Sequence, residues 1–288
     1  AEINAWLILP WTFKAFWGPV IDRFTMRSMG RRRPWILFAQ LALSATLLAM
    51  ILIRDLTAEM ETLYWMVFVH NCFVSLQDVA SDALAVDVLL DDERGRVNGM
   101  MWASNYAGSA IGGAGMGTVI AYSGLRAAFC LQTGLLMMIF CLPLFFRERA
   151  GEKLFPWSKG EAQRAPGEDE NVDFVGLVKE LLRAFASKAP LLGLIFALAV
   201  AVMVGMRVAM VSVFFQNEIG WKAAYFSQIE GGVGAVAGVV GALIGGFLAD
   251  RFGVKAMITI SALGISALCT AMGASEELWA NKLFPLTF

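Results

Sequence analysis

Carboxylate side chains recur on one face of a long apolar segment of the sequence. Asp78 and Asp82 are one helical turn apart, and Asn71 falls on the same stripe, within about 60° on a wheel of 100° per residue. Asn105 belongs to a similar polar stripe on the next apolar segment. A helix that faces lipid would carry neither stripe, because polar side chains are costly in hydrocarbon. The two stripes predict a water-filled cavity.

Charged residues inside apolar segments are candidates for substrate binding or ion coupling. Asp78 and Asp82 could accept a proton or contact a substrate, or they could form structural pairs with Lys14 or Arg207. Lys14 could instead bind an anionic group of a substrate. Arg207 suits either anion recognition or a structural ion pair. Glu230 is a further coupling candidate.

The elements that must position these side chains are apolar runs long enough to cross a membrane, about 20 residues each. Hydrophobic residues make up 58% of the 288 residues and charged residues only 16%, which excludes an ordinary soluble protein. The runs lack the period-2 alternation of barrel strands. The sequence therefore predicts an all-α polytopic membrane protein with eight spans, at residues 3–20, 34–53, 63–90, 97–122, 125–146, 189–215, 223–249 and 254–273.

Basic residues are distributed unequally between alternate loops. Loops on one side hold 17 Lys and Arg and those on the other hold 4, with Lys14 and Arg207 inside spans. Because Lys and Arg are retained in the cytoplasm, the richer side is predicted to be cytoplasmic and includes residues 21–33 and 147–188. This division requires residues 63–90 to be a span despite their polar side chains. We expect a multi-pass inner (plasma) membrane protein.

The only long connection is residues 147–188, which also has the only soluble composition. It is predicted to be a cytoplasmic linker that carries an amphipathic helix at the membrane surface. A helix that binds a partner protein is the alternative. The linker would separate an N-terminal bundle of about five spans, residues 1–146, from a C-terminal bundle of about three, residues 189–288.

A short motif occurs twice, each time at the cytoplasmic end of a span. Gly18-x-x-x-Asp22-Arg23-Phe24 recurs as Gly246-x-x-x-Asp250-Arg251-Phe252. Parallel repeats of this kind build many transporters. The motif resembles the cytoplasmic loop motif of the major facilitator superfamily, and further residues resemble its branch of muropeptide permeases of the AmpG type and acetyl-coenzyme A carriers. Those residues are Lys14, Trp17-Gly18-Pro19, Arg32-Arg33-Pro34-Trp35, Gln77-Asp78, Asp82 and Glu93-Arg94-Gly95.

The resemblance implies that the two motif loops form charged latches that hold an inner gate. Anchoring of the loops by the positive-inside rule is the alternative. The latch residues would be Asp22, Arg23, Arg31, Arg32, Asp250 and Arg251, and the second latch could meet the start of span 97–122. The resemblance also implies close packing of the fifth and eighth helices of the family through glycine faces. The glycines proposed for this packing are Gly108, Gly234, Gly238, Gly241 and Gly245.

The predicted function is a monomeric secondary transporter that moves a small polar or amphiphilic solute by alternating access. A muropeptide-like or acyl-coenzyme A-like solute fits, and proton coupling is one option. Besides membrane lipids and the solute, no other partner is expected. The register of the resemblance places the spans at helices two to nine of twelve, and the chain begins without Met. A non-transporting fragment or scaffold is therefore the alternative.

Other functions lack their sequence signals. No phosphate-binding loop is present, which argues against ATP-driven pumping. One His and four separated Cys offer no metal or disulfide motif, so we expect no metal, no cofactor and no catalytic residue. A net charge of -1 leaves no basic surface for nucleic acid.

Overall fold

The computed structural model describes residues 9–24, 29–53, 58–155, 157–158, 176, 179, 183, 187–217, 220–222 and 229–274, without the side chains of 189, 207–212, 230 and 272. All regular secondary structure in these residues is helical, which confirms the predicted fold class. The α-helices are α1 (Trp17–Arg23), α2 (Arg33–Met50), α3 (Met60–Val88), α4 (Arg94–Phe145), α5 (Lys188–Asn217), α6 (Gly234–Phe252) and α7 (Val254–Ala274).

Glycine and proline residues determine several helix ends. Pro34 lies in the first turn of α2, where its missing N–H has no partner to lose. Gly124, with φ +80°, interrupts α4 at the predicted boundary between two spans. Gly253, with φ +87°, ends α6 before α7 begins. Both conformations favour glycine, because a Cβ atom is strained at positive φ.

Two predicted spans are less regular in the structure than in the sequence analysis. Within the first, a 3₁₀ turn at Lys14–Phe16 precedes the short helix α1, and residues 3–8 lie outside the described residues. Within span 223–249, a π-helical turn at Ile229–Val233 leads into α6. Such turns mark places where a helix departs from its regular hydrogen bonding.

Four helical stretches of the described chain are long and apolar enough to cross a membrane: Arg33–Met50, Arg94–Phe145, Gly231–Phe252 and Val254–Ala271. α3 is not among them, in keeping with its polar residues. Large apolar side chains on these helices are widely exposed, among them Ile111 at 74% and Leu263 at 66%. A surface of this kind is suited to lipid rather than water.

The chain divides into two compact units. Unit 1 contains Ala1–Val88 and Met116–Ala184, and unit 2 contains Leu89–Gly115 and Phe185–Phe288. This division differs from the predicted boundary at residue 146, because the first part of α4 groups with α6 and α7. The start of the predicted linker, from residue 147, belongs to unit 1.

Unit 1 is built around the contact of α1 and α2 with α3. Its buried cluster consists of Ile21, Ile36, Ala39, Leu76 and Ala80. Small residues alternate with larger ones in this cluster, so the helices approach closely and bury Ile21 and Ala80 completely. The cluster holds α1 and α3 in register, which determines where the polar residues of both meet.

The beginning of the predicted linker is held against the N-terminus of α2 by Arg33. The Arg33 guanidinium is buried and donates to the carbonyl groups of Pro143, Leu144, Lys153 and Leu154. These bonds pair a buried cation with backbone acceptors at the end of α4, where the last carbonyls of a helix lack partners. Arg33 thus fastens the start of the linker to unit 1.

The same segment supplies a carboxylate that caps α2. Glu148 Oε2 accepts hydrogen bonds from the backbone N–H groups of Arg32 at 2.9 Å and Arg33 at 3.2 Å. A Cβ atom on Gly30, which has φ +102°, would lie 2.6 Å from the same oxygen. Glycine at position 30 therefore leaves room for the cap.

Unit 2 contains a close helix contact between the first part of α4 and α6. A Cβ atom on Gly246 would lie 2.5 Å from the carbonyl oxygen of Gly95 and 2.9 Å from Cα of Gly99. A Cβ atom on Gly99 would lie 2.5 Å from the carbonyl oxygen of Ala242. The two backbones therefore touch, as small residues allow in membrane helices.

We predict that Gly246→Ala destabilises the protein, because the added methyl group overlaps the α4 backbone. The expected loss is about 1–3 kcal/mol of unfolding free energy. Gly245→Ala is the matched control, since a Cβ atom there meets no described atom within 4 Å. Thermal unfolding of the detergent-solubilised protein measures both. Equal midpoints for the two variants would contradict the contact.

Glu152 predicts a pH dependence of stability. Its side chain is buried, and burial raises the pKa of this carboxyl above its ordinary value. The folded state then keeps a proton that the unfolded chain releases, so stability falls as pH rises from the ordinary pKa through the raised one. Glu152→Gln should make unfolding midpoints between pH 4 and 8 less dependent on pH. The exposed Glu61→Gln is the control, and an unchanged slope in Glu152→Gln would refute the assignment.

Candidate functional site

An ion pair joins the first predicted span to the polar face of α3. Lys14 Nζ lies 3.1 Å from Asp78 Oδ2. One turn along each segment, the Trp17 indole N–H donates to Ser75 Oγ at 2.9 Å, and Ser75 Oγ donates to the Cys72 carbonyl. Packing of Ile21 against α3 brings these groups together. The structure therefore pairs a cation of the first predicted span with a carboxylate of the predicted span 63–90.

This ion pair is not sealed inside unit 1. The Lys14 and Asp78 side chains are 44% and 36% exposed, respectively. Asp82 lies one helical turn beyond Asp78 and is also exposed. Asn71 is partly buried on the same helix. Lys14, Asp78 and Asp82 thus form a group of one cation and two carboxylates at the surface of unit 1.

The first motif loop forms a connected set of ion pairs in unit 1. Asp22 Oδ1 lies 2.9 Å from Arg31 and 2.5 Å from Arg32. Arg32 Nε also donates to Asp87 Oδ2 at 2.9 Å, near the end of α3. Arg23 is exposed and forms no ion pair within the part of the chain that the structure describes.

The electrostatics of Arg32 explain how this cation tolerates burial. Its side chain is 8% exposed. Burial alone lowers the pKa of Arg32, but the carboxylates of Asp22 and Asp87 outweigh this effect and raise the pKa above its ordinary value. Arg32 is therefore a permanent positive charge shared by α1 and α3.

The second motif loop forms an equivalent arrangement in unit 2. Asp250 Oδ1 accepts from the Gly95 N–H at 2.7 Å, and Oδ2 accepts from the Arg96 N–H at 2.8 Å and from Arg96 Nε at 3.1 Å. The carboxylate thus caps the N-terminus of α4, where unpaired N–H groups and the helix dipole favour negative charge. Arg251 lies over the Phe252 ring instead of pairing with Asp250.

Three further residues were singled out from the sequence. Asn105 is exposed in unit 2, whereas Lys14 and Asp78 belong to unit 1. Arg207 and Glu230 lie in helical segments, but their side chains are outside the described residues.

The glycines proposed for packing differ in their surroundings. A Cβ atom on Gly238 would lie 2.8 Å from the Tyr106 ring, and a Cβ atom on Gly234 would lie 3.8 Å from the Ile229 carbonyl oxygen. No described atom lies within 4 Å of a Cβ atom on Gly108, Gly241 or Gly245. The close contact in unit 2 instead uses Gly95, Gly99 and Gly246.

The sequence analysis missed some of the residues that contact the motif loops and the linker. Asp87 and Glu148 supply carboxylates to Arg32, and Arg33 is the buried anchor of the linker. Each of these residues carries a charge near the end of a predicted span, and a residue of opposite charge lies near a span end in another loop. The contact of Asp250 with Arg96 lies at the start of span 97–122, where the sequence analysis had considered a partner for the second motif. Outside these loops, His70 Nδ1 lies 2.8 Å from Thr46 Oγ1.

Within the described residues, no group of three or more His, Cys, Asp or Glu could hold a metal ion. The ion pairs of Lys14, Asp22 and Asp250 are groups that can exchange partners. Such exchange suits the binding and release of a charged solute.

Comparison with known proteins identifies the family of the chain. Residues 3–280 match the family model of the Major Facilitator Superfamily. The chain is 28% identical over 246 residues to the anhydromuropeptide permease of Escherichia coli strain K12. The aligned region covers 84% of this chain and 46% of that protein. The permease of Escherichia coli O157:H7 gives the same values. An uncharacterized protein of Haemophilus influenzae is 31% identical to the chain over 139 residues. That aligned region covers 46% of this chain and 32% of the Haemophilus influenzae protein.

The chain spans about half the length of the Escherichia coli relatives that it matches. The two copies of the motif, with Asp22 and Asp250 in ion pairs at helix ends, lie within the region matched by the family model. The all-helical structure agrees with that match. The chain therefore belongs to the major facilitator superfamily.

Proposed function

We propose that the protein acts in secondary active transport of a muropeptide-like solute by alternating access, with a proton as coupling ion. The observation that carries this proposal is the Lys14–Asp78 ion pair, reachable from outside unit 1 and placed within apolar segments. The name of the Escherichia coli relative supports the solute class. Muropeptides combine polar sugar groups with peptide carboxylates, so a cation is a suitable contact for them.

The chemistry follows from competition for Lys14. An anionic group of the solute that reaches Lys14 would displace Asp78 from the ammonium. The displaced carboxylate would then lie in an apolar segment without a counter-charge, which favours taking up a proton. Asp82, one turn away, would add repulsion between two carboxylates. Solute binding and protonation of Asp78 would therefore occur together, which is the basis of symport.

The two motif loops, through the contacts of Asp22 and Asp250, would act as the inner gate. Asp22 and Asp250 each join charges from separate segments, Asp22 with Arg31 and Arg32 and Asp250 with the start of α4. Breaking such pairs exposes charges and unpaired N–H groups, so each latch favours the state in which it is formed. The excess of Lys and Arg in the loops around them supports a cytoplasmic position.

We predict that Asp78→Asn abolishes the dependence of uptake on a pH gradient. The change removes a charge-assisted bond of about 1.5–3 kcal/mol, so uptake should fall roughly ten- to a hundredfold. Uptake of a radiolabelled anhydromuropeptide by proteoliposomes containing the full-length protein measures this. Asp91→Asn, at a carboxylate that is 90% exposed, is the matched control. Unchanged uptake of Asp78→Asn with and without a gradient would refute the coupling role.

The double variant Lys14→Met with Asp78→Leu separates coupling from a purely structural role. Removing both charges leaves no unpaired ion and should preserve folding. If the pair only stabilises the helices, the double variant regains uptake. If it couples solute to proton, uptake stays as low as in Asp78→Asn while the unfolding midpoint matches that of the unmodified protein.

We predict that Asp250→Ala speeds hydrogen exchange of the Gly95 and Arg96 amides and lowers the uptake rate. Both amides lose their acceptor, at a cost of about 0.5–2 kcal/mol for the cap. Exchange measured by mass spectrometry should rise in peptides covering residues 94–98. Asp91→Asn serves again as the control, because Asp91 pairs only with Arg94 among the ion pairs of the described residues. Unaltered exchange in Asp250→Ala would contradict the capping role.

A further inference from the structure

A cavity lies at the end of unit 1 where α2 ends and α4 is interrupted. Its volume is about 270 Å³, and the apolar side chains of Met50, Ile53, Leu63 and Phe129 form one part of its walls. Gly124, with φ +80°, redirects the chain at its rim. The remaining lining includes Ser123 and one cation, Arg126. The cavity plays no part in the Lys14–Asp78 site or the motif loops.

The position of the cavity relative to a membrane follows from the length of α2. At 1.5 Å per residue, the 18 residues of α2 extend about 27 Å. This is close to the hydrocarbon thickness of about 30 Å. Arg33 begins α2 beside the end of α4, and Met50 ends it at the cavity. The cavity therefore lies at headgroup level on the face opposite Arg33.

The described lining of the cavity carries an excess positive charge. Arg126 is exposed, no carboxylate is among the lining residues that the structure describes, and Arg126 forms no ion pair with any of them. A guanidinium at headgroup level matches phosphate oxygens, to which it can donate two parallel hydrogen bonds. The apolar walls would have no function for a free anion, but they suit the first methylene groups of an acyl chain.

We propose that this cavity binds an anionic phospholipid, with its phosphate on Arg126 and the upper part of an acyl chain against Met50, Leu63 and Phe129. The volume accommodates a phosphate and a few methylene groups, so the rest of the lipid lies in the bilayer. The site is separate from the solute site. It would connect the stability of this end of unit 1 to the anionic lipid content of the membrane.

The test is lipid retention by the full-length protein, purified in detergent with phosphatidylglycerol or phosphatidylcholine and analysed by native mass spectrometry. We expect a five- to tenfold preference for phosphatidylglycerol, the size produced by about one basic residue at a membrane surface. Arg126→Gln should abolish the preference and Arg126→Lys should retain most of it. Lys255→Gln, at an exposed basic position in unit 2, is the matched control. Addition of inorganic phosphate should not displace the lipid.

Each result of this test decides the proposal. Equal preference in Arg126→Gln and Lys255→Gln would overturn the site, because the charge of Arg126 would then have no effect. Displacement of phosphatidylglycerol by inorganic phosphate would show that the site takes the anion alone and would overturn the role of the apolar walls. If Arg126→Gln has a low unfolding midpoint, Phe129→Ala is the variant that tests the site, because it retains the cation. Phe129→Ala should bind phosphatidylglycerol about threefold more weakly than the unmodified protein, and equal binding would overturn the site.

Discussion

Charged groups at the ends and in the interior of apolar helices need partners, and this requirement shapes the described structure. Water cannot supply those partners in hydrocarbon, so other segments of the same chain must. Arg33 donates hydrogen bonds to four carbonyl groups. Arg32 pairs with two carboxylates, and Lys14 pairs with Asp78. Except for the pair of Arg32 with Asp22, each of these contacts joins residues far apart in sequence. The polar residues therefore hold the helices in place as much as the apolar ones do.

The same solution appears at the N-termini of two helices. Glu148 caps α2 in unit 1, and Asp250 caps α4 in unit 2. Each carboxylate comes from a segment more than 100 residues away and accepts from two successive backbone N–H groups. A cap within the helix's own sequence would stabilise only that helix. A distant cap makes the helix end depend on tertiary contacts, which is a property that a gate requires.

The two units are stabilised in different ways. Unit 1 packs side chains of mixed size around Ile21 and Leu76. In unit 2, the backbones of α4 and α6 touch at Gly95, Gly99 and Gly246. Glycine contacts bury little apolar area and allow helices to slide, whereas interlocked side chains oppose sliding. This contrast agrees with a family whose proposed action requires relative motion of helices.

The sequence by itself determined the helical membrane fold and the family. The apolar runs and the repeated Gly-x-x-x-Asp-Arg-Phe motif carry these conclusions, and both depend only on residues close together in the chain. The sequence also indicated Lys14 and Asp78 as charges in apolar segments, with their pairing left as one option among several.

Only the tertiary structure decided which charges meet. Neither spacing nor composition pointed to Asp87 and Glu148 as partners of the Arg32 region, whereas the contact of Asp250 with the start of α4 was one option that the sequence analysis named. Of the five glycines proposed for packing, Gly238 meets the Tyr106 ring, whereas Gly241 and Gly245 meet no described atom within 4 Å, and the closest backbone contact in unit 2 uses Gly95, Gly99 and Gly246. A wheel identifies a face of a helix but not the neighbour it meets. Long-range pairing depends on how the helices pack, and that is a property of the whole unit.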